Sequence, residues 1–346
     1  MSKVKYLYII LILTLLMRIN YVCEGDIVTC QGIGEVGWAN NEHTGAKESR
    51  LEEFRAKTVS LVRRDLPSPH SELLLGMALG IDRLYELPIF KKMLRDTSTI
   101  HVVVVSGYNV TLVYNTIIRT IGTPYKIKNT LLAIIGTLLF SMLSGFEPPV
   151  VRAWIMGSII AFGKYYGRSL NALAVLLATG LILAIINPRY LYSISFQLSF
   201  LATLSLILFE KSVSYNIKKL IKVQNIFTED LSATISAQVL IWPYLSYKFG
   251  QISLISPVVN ALILWSVPLA TMAGSLYLLL GAVSSSLGHF MAFLVYIPLD
   301  YFVFGIEHFS QYQQFILGVK VPMAFLIAYY LGLTYLYIKK LRLINA

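Results

Sequence analysis

Ten long apolar segments are the feature that most constrains how this chain can fold. A helix needs about 20 apolar residues to cross the hydrocarbon core of a bilayer. We therefore expect an all-α polytopic membrane protein with about ten transmembrane or re-entrant helices, some of them broken, and a small extracytoplasmic N-terminal segment. The apolar segments are residues 4–22, 100–120, 129–145, 150–163, 170–187, 190–209, 231–249, 252–279, 285–305 and 321–338.

Composition excludes an ordinary soluble domain. Hydrophobic residues make up 56% of the 346 residues and charged residues 14%, against about 25% charged residues in typical soluble proteins. The net charge is +11, and from residue 100 onward 16 Lys and Arg stand against 6 Asp and Glu. Short basic loops facing the cytoplasm would give part of this excess. A path for a polyanion would give it too, so charge alone does not choose between them.

The N-terminal region predicts the orientation. Residues 1–23 carry an apolar segment behind Lys3 and Lys5, with no small-residue cleavage site after it. This pattern favours a signal anchor with its N-terminus in the cytoplasm over a cleaved signal peptide. The positions of Lys and Arg in the later loops then place the C-terminus in the cytoplasm as well. We expect a multi-pass protein of the cytoplasmic (inner) membrane.

The polar region after the first apolar segment divides in two. Residues 24–69 predict a reduced extracytoplasmic segment. Residues 70–99 predict amphipathic helices at the membrane interface, with a soluble helical hairpin as the alternative. Cys23 and Cys30 are the two cysteines of the chain, and they could form one disulfide outside the cytoplasm or remain free thiols. The transmembrane domain is expected to cover residues 100–346.

Polar residues interrupt the second apolar segment. His101, Ser106 and Asn109 lie within it, and Gly107 allows another backbone to approach closely. A polar side chain at membrane depth needs a partner or water, and an irregular backbone there needs protein or a wet cavity around it. The stretch predicts either a helix that lines a polar path or an ordinary packed helix with polar contacts.

A second polar group surrounds Arg152. Pro148 and Pro149 end one helix and start the next, and Arg152 follows three residues later. Its guanidinium could bond Glu147 or a helix end, or it could bind phosphate. Asp300 could pair with Arg152 or lie at an interface.

Amides and prolines mark two further stretches. Gln197 lies in one apolar segment, and Gln238 and Asn260 lie in the next two. Such side chains often join helices to one another. Pro243 and Pro257 are expected to break backbone hydrogen bonding within spanning segments, which is typical of substrate pathways in transporters.

Four of these stretches, in the same order, resemble the competence DNA-uptake channel family (ComEC type). The resemblance covers about residues 70–275, and one departure is Asn109, where that family usually has a His. The matching patterns are His-x-x-x-x-Ser-Gly-x-x-Val at 101–110, Asn-Pro…Ser-Phe-Gln-Leu-Ser-Phe at 187–200, and Gln…Pro…Phe-Gly…Ser…Pro-x-x-Asn at 238–260. The family's Gly-x-x-Pro-x-x-Arg-Ala-x-x-Met is matched by Gly145, Pro148 or Pro149, Arg152, Ala153 and Met156, with one residue more in this chain.

The resemblance implies an inner-membrane channel that imports single-stranded DNA during natural transformation. It implies a path along His101, Ser106, Gly107, Asn109, Arg152, Gln197, Gln238 and Asn260. Residues 24–69 would then be at most a remnant of an oligonucleotide-binding domain, and we expect a short form without the family's metallo-β-lactamase-like domain.

The same resemblance sets the expected partners. They are membrane lipids, an extracellular DNA receptor or pilus components, and a cytoplasmic motor or single-strand-binding proteins, with a homo-oligomer also open. We expect no cofactor, no metal site and no enzymatic activity. A small-solute or lipid transporter and a non-conducting assembly subunit on the same scaffold are the alternatives.

Overall fold

The described residues are almost entirely helical. The computed structural model describes residues 47–81, 83–100, 107–122, 126–221 and 226–345, which contain thirteen α-helices. These are α1 (Lys47–Asp65), α2 (His70–Leu79), α3 (Pro88–Asp96), α4 (Gly107–Ile121), α5 (Ile127–Leu143), α6 (Pro148–Tyr165), α7 (Ala172–Ile186), α8 (Ile194–Ile221), α9 (Ile226–Phe249), α10 (Ser256–Ile263), α11 (Ser266–Val283), α12 (Ser285–Ser310) and α13 (Met323–Asn345).

The chain divides into two compact units. The first holds the described residues up to Lys91, those of Ile100–Phe200, and Ile263–Phe304; the second holds Lys92–Thr99, the described residues of Leu201–Leu262, and those from Gly305 onward.

Fewer helices than expected have the length and composition of a membrane span. Among the described residues, α8 and α12 meet both criteria, and α10 with α11 would add a third if that bent pair is one span. Helices such as α7, with 15 residues, rise only about 22 Å at 1.5 Å per residue, which is less than the roughly 30 Å hydrocarbon core. The all-helical class is confirmed and the count of ten spans is not. The first apolar segment, 4–22, lies outside the described residues.

Helices α4, α5 and α6 pack together in the first unit. Val110, Phe140 and Val150 form their shared buried cluster, and the Trp154 indole donates a hydrogen bond to the Ile134 carbonyl at 3.1 Å. A second cluster joins α6, α7 and the start of α8. This packing fixes one turn of α6, the turn that carries Arg152.

Helix α2 is buried on all sides: all ten of its residues are buried. This differs from the one-sided burial expected of an amphipathic helix at the interface. The helix ends at Gly80, whose φ of +67° is left-handed, and a Cβ there would lie 2.8 Å from the Ser144 carbonyl oxygen. Glycine is therefore required at this position both for its conformation and for the close approach.

Charged groups join α1 to α2 and to the 3₁₀ turn Leu84–Glu86. Arg63 forms ion pairs with Glu72, at 3.1 Å, and with Glu86. The hydrogen bond from Arg63 is the main reason why the pKa of the Glu86 carboxyl lies below its ordinary value.

The second unit contains a two-stranded antiparallel sheet. Strand β1 (Ile252–Ser253) pairs with β2 (Ile316–Leu317), with Ile252 opposite Leu317. Helix α9 packs against α13 in the same unit.

Candidate functional site

Arg152 lies in the first two turns of α6, where it is half-buried. Pro148 and Pro149 occupy the first two positions of this helix, where the missing proline N–H leaves no intrahelical bond unmade. The Arg152 Nε donates to the Ser199 hydroxyl at 2.8 Å, and its Nη1 lies 3.4 Å from the Met156 sulfur. Ser199 comes from the first two turns of α8, so the guanidinium is placed between α6 and α8.

No carboxylate within the described ranges lies within ion-pair distance of Arg152. Neither Glu147 nor Asp300 is its partner. A guanidinium carries five N–H donors and stays charged, and the hydroxyl and thioether that it contacts are both neutral. Counted over the described residues alone, the site has a fixed positive charge with donors left for an anion.

Gly107 lies directly against this guanidinium. A Cβ at Gly107 would come within 2.9 Å of the Arg152 Nη2 and 3.0 Å of the Ala153 Cβ. The glycine of the first polar stretch and the arginine of the second therefore meet in one site, 45 residues apart in the chain.

Asn109 and Gln197 lie in the same unit but have other partners. Asn109 is fully buried, its Nδ2 donates to the Met77 carbonyl at 3.1 Å, and so it joins α4 to α2. Gln197 donates to the Leu191 carbonyl at 2.7 Å, within the turn that precedes α8. Each of the two side chains therefore donates a hydrogen bond to a backbone carbonyl of a neighbouring segment.

The second unit contains a buried amide cluster. The Gln238 Nε2 donates to the Ser256 hydroxyl at 2.7 Å, and the Asn260 Nδ2 approaches the same oxygen at 3.4 Å. The side-chain oxygens of Gln238 and Asn260 are both buried, and neither has a partner among the described residues. The structure thus brings together Gln238 and Asn260, two of the predicted path residues.

The two prolines of this region differ from expectation. Helix α9 continues through Pro243, and Pro257 is the second residue of α10. Pro243 has no N–H for the Val239 carbonyl, but the Tyr329 hydroxyl donates to that carbonyl at 3.0 Å. The missing backbone bond is thus replaced by a side chain of α13, and the helix is not interrupted.

Two histidine–carboxylate contacts were not anticipated from the sequence. The His70 Nε2 lies 3.1 Å from the Asp300 Oδ1, and the His289 Nε2 lies 3.5 Å from the Asp65 Oδ1. The partners are more than 200 residues apart, so no local pattern could reveal them. Within the described residues, no group of three or more His, Cys, Asp and Glu side chains is placed to hold a metal ion.

His101, Ser106, Cys23 and Cys30 lie outside the described residues. Their predicted roles, in the path and in a disulfide, stay predictions.

Comparison with known proteins places these motifs in a family. A family model described as "Competence protein" matches residues 84–343. ComE operon protein 3 of Bacillus subtilis (strain 168) is 27% identical over 213 residues, 60% of this chain and 26% of that protein. An uncharacterized protein of Aquifex aeolicus (strain VF5) is 34% identical over 125 residues, 34% of this chain and 28% of that protein.

The matches cover different shares of the relatives and of this chain. They span only about a quarter of the length of these curated relatives, and no solved structure matches the chain. The family model covers about three quarters of the chain, including Gly107, Arg152, Gln238 and Asn260. The chain is therefore a member of the Competence protein family and, with its apolar helices, a membrane protein.

Proposed function

We propose that this chain is an inner-membrane channel that passes single-stranded DNA during natural transformation. Family membership supports a role in DNA uptake. The observation that carries the proposal of a DNA path is the Arg152 guanidinium, held between helices beside Gly107 and Ser199 without an ion-pair partner in the described part of the chain. We propose that the chain carries out no chemistry of its own.

The guanidinium suits a phosphate backbone for three reasons. It is charged at every physiological pH, its planar donors match phosphate oxygens, and it is less strongly hydrated than an ammonium. Arg152 is half-buried and has no counter-charge among the described residues, which is unfavourable for a charged group. A passing phosphate would supply that counter-charge. A weak, transient contact of this kind allows entry and release, which conduction requires.

The amide cluster of the second unit offers hydrogen-bonding groups of a different kind. Gln238 and Asn260 are neutral and present donors and acceptors, so they can exchange hydrogen bonds with a base edge or sugar. Contacts to the sugar add no charge and carry no sequence information, as a nonspecific path requires.

Replacement of Arg152 tests the proposal. In the organism that carries the gene, a deletion strain would be complemented with wild type, Arg152→Lys or Arg152→Ala, and uptake of labelled DNA into a nuclease-resistant form measured. Charge-assisted hydrogen bonds contribute roughly 1.5–3 kcal/mol, so we expect uptake to fall about tenfold or more for Arg152→Ala. Arg152→Lys keeps the charge without the planar donors. Its DNA uptake should lie between that of the wild type and that of Arg152→Ala.

Arg189→Ala is the matched control, because Arg189 is an exposed arginine of the same unit. The amount of each variant in washed membranes is measured in parallel. Normal DNA uptake in the deletion strain would overturn the proposal. Normal uptake by an inserted Arg152→Ala protein would remove Arg152 from the path and leave family membership as the remaining support.

A further inference from the structure

An acidic side chain lies near the middle of a candidate membrane span. Helix α12 meets both criteria for a span, length and composition. Asp300 lies just past the midpoint of Ser285–Ser310, by about 4 Å at a rise of 1.5 Å per residue. Its side chain is 53% exposed. A carboxylate at this depth is unfavourable in lipid, so the exposed side of Asp300 requires a partner.

The face of α12 that carries Asp300 is otherwise apolar. The opposite face packs inside the first unit, where Ala292, Val295 and Leu299 are buried. On the outer face, exposed apolar side chains recur every three or four residues, the spacing of one side of a helix. This α12 stripe consists of Phe290, Phe293, Ile297 and Phe304, with Asp300 between the last two.

The known contacts of Asp300 supply no permanent positive charge. The His70 Nε2 lies 3.1 Å from the Asp300 Oδ1, and this histidine is charged only when protonated. The Tyr296 hydroxyl, one turn earlier on α12, donates a hydrogen bond to the same carboxylate. Across the described part of the chain, no Lys or Arg lies within ion-pair distance of Asp300.

This charge argues against three possible neighbours of the α12 stripe. Lipid tails offer a carboxylate no hydrogen bond. A second copy that packed through the same stripe in a two-fold arrangement would bring two Asp300 carboxylates together, and like charges repel. A DNA strand would be repelled by the same charge. The neighbour that fits is an apolar helix that carries a basic side chain.

The sequence supplies one such helix. Among the ten apolar segments, Lys5, Arg119 and Lys248 lie next to the ends of theirs. Arg152 lies inside its segment, but its guanidinium contacts Ser199 and Met156. The remaining base is Arg18, in the first apolar segment, residues 4–22.

Arg18 lies at a depth that matches Asp300. It follows the midpoint of segment 4–22 by five residues, which is about 7.5 Å along a helix axis. If the segment runs parallel to α12, the two charged residues differ in depth by about 4 Å, which the long arginine side chain can span. An antiparallel arrangement would separate them by about 11 Å. An ion pair between them therefore requires parallel packing.

We propose that the first apolar segment, residues 4–22, packs parallel to α12 against the α12 stripe, and that Arg18 forms an ion pair with Asp300. In a helix, Leu11 and Leu15 share a face with Arg18, and they meet the apolar side chains of the stripe. Each charge removes the cost of the other in the membrane, and the pair fixes the register of the segment. This packing does not depend on DNA passing through the protein.

Disulfide cross-linking tests the packing without removing either charge. The full chain, with Cys23 and Cys30 replaced by Ser, carries Leu15→Cys and Ile297→Cys and is oxidised in isolated membranes. We expect a disulfide within one chain, identified by mass spectrometry of the linked peptide. Leu15→Cys with Leu287→Cys is the control and should not link, because Leu287 is also exposed but lies about 15 Å along the helix from Ile297.

Three outcomes of the cross-linking would overturn the proposal. The first is no link between positions 15 and 297 although both thiols react with an alkylating reagent. The second is a link to position 287 instead, which would mean the wrong direction or depth. The third is a link that joins two chains, which would mean that another copy supplies the neighbouring helix.

Removal of the two charges tests the ion pair itself. Arg18→Gln and Asp300→Asn each leave the other charge unpaired, so each should lower the thermal denaturation midpoint in detergent. The double variant has neither charge and should regain most of that loss. Arg119→Gln is the matched control, since Arg119 is an exposed arginine of the same unit, and its effect should add to that of Asp300→Asn. Additive effects of Arg18→Gln and Asp300→Asn would overturn the ion pair.

Discussion

At the scale of single residues, the contact between Gly107 and Arg152 makes the sharpest prediction. A methyl group at Gly107 would lie 2.9 Å from the Arg152 Nη2 and must displace the guanidinium. The guanidinium is the far end of a flexible side chain and can move, but a move that loses one hydrogen bond, worth about 1 kcal/mol, should lower DNA uptake by Gly107→Ala about fivefold while the protein still inserts. Gly157→Ala is the control, since nothing lies within 4 Å of a Cβ at Gly157, on the same helix as Arg152. Equal uptake by the two variants would contradict the assigned role of Gly107.

Substitution of Asn109 tests a different property, the hydrogen bond that joins α4 to α2. Its side chain is fully buried and donates to the Met77 carbonyl. Asn109→Leu leaves that carbonyl unpaired, so we expect a loss of about 1–3 kcal/mol in stability, measured as a lower thermal denaturation midpoint in detergent. Asn109→His retains an N–H donor and should lose less. A histidine variant as unstable as the leucine variant would show that the hydrogen bond is not what matters at this position.

Sequence patterns singled out individual residues but not their partners. Gly107, Arg152, Gln238 and Asn260 stood out because glycine, charge and amides are unusual in apolar segments. The partner of Arg152 could not be predicted, because Glu147 and Asp300 were both acceptable in chemistry and only tertiary packing excludes them. His289 drew no attention, since a single histidine near the end of a helix is ordinary until Asp65 is placed beside it.

At the scale of helices, Pro243 and Tyr329 form a pair whose coupling can be measured. The Tyr329 hydroxyl supplies the donor that proline lacks, so Tyr329→Phe should destabilise the protein by about 1–3 kcal/mol. In a Pro243→Ala background the alanine N–H can bond the Val239 carbonyl, and the same substitution should then have a much smaller effect. Denaturation of the four proteins gives the coupling energy.

Tyr335→Phe is the control for this cycle, because Tyr335 lies on the same helix and is 66% exposed. Additive effects of Pro243→Ala and Tyr329→Phe would mean that the hydroxyl does not replace the missing backbone bond.

The junction of α1 with α11 and α12 should weaken in acid. Burial raises the pKa of Asp65 but its hydrogen bonds outweigh this, so the folded-state pKa is lowered. A carboxyl with a depressed pKa stabilises the fold above its unfolded-state pKa of about 3.9, and that contribution is lost as the pH falls through the folded-state value. We expect the thermal denaturation midpoint of the wild type to fall as the pH is lowered below about 4. The midpoint of Asp65→Asn should change less. Glu210→Gln, an exposed acid on α8, should behave as wild type.

The positions of the helices were largely predictable from the sequence, but which helices are long enough to span a membrane was not. The apolar segment 129–145 corresponds to the helix Ile127–Leu143, and the segment 285–305 to the helix Ser285–Ser310. An apolar run that lies between prolines and charged residues leaves little choice of where a helix begins and ends. Whether a helix crosses a bilayer depends on both length and composition, and the shorter apolar helices fall below about 18 residues. Nor could the all-round burial of α2 be predicted from its sequence, because Glu72 on that helix is satisfied by Arg63 from another.

At the scale of the whole molecule, the charge of +11 makes salt the most direct probe of a polyanion path. A protein that neutralises Z phosphates of a single strand loses affinity with a slope of about −0.7Z in log salt. We expect the purified full chain in detergent to bind a fluorescent single-stranded oligonucleotide, more weakly as salt increases. If Arg152 contacts one phosphate, Arg152→Ala should reduce the magnitude of the slope by about 0.7, whereas Arg189→Ala should not. A slope unchanged by Arg152→Ala would mean that Arg152 does not meet the strand, and binding without any salt dependence would mean that the basic charge serves orientation in the membrane.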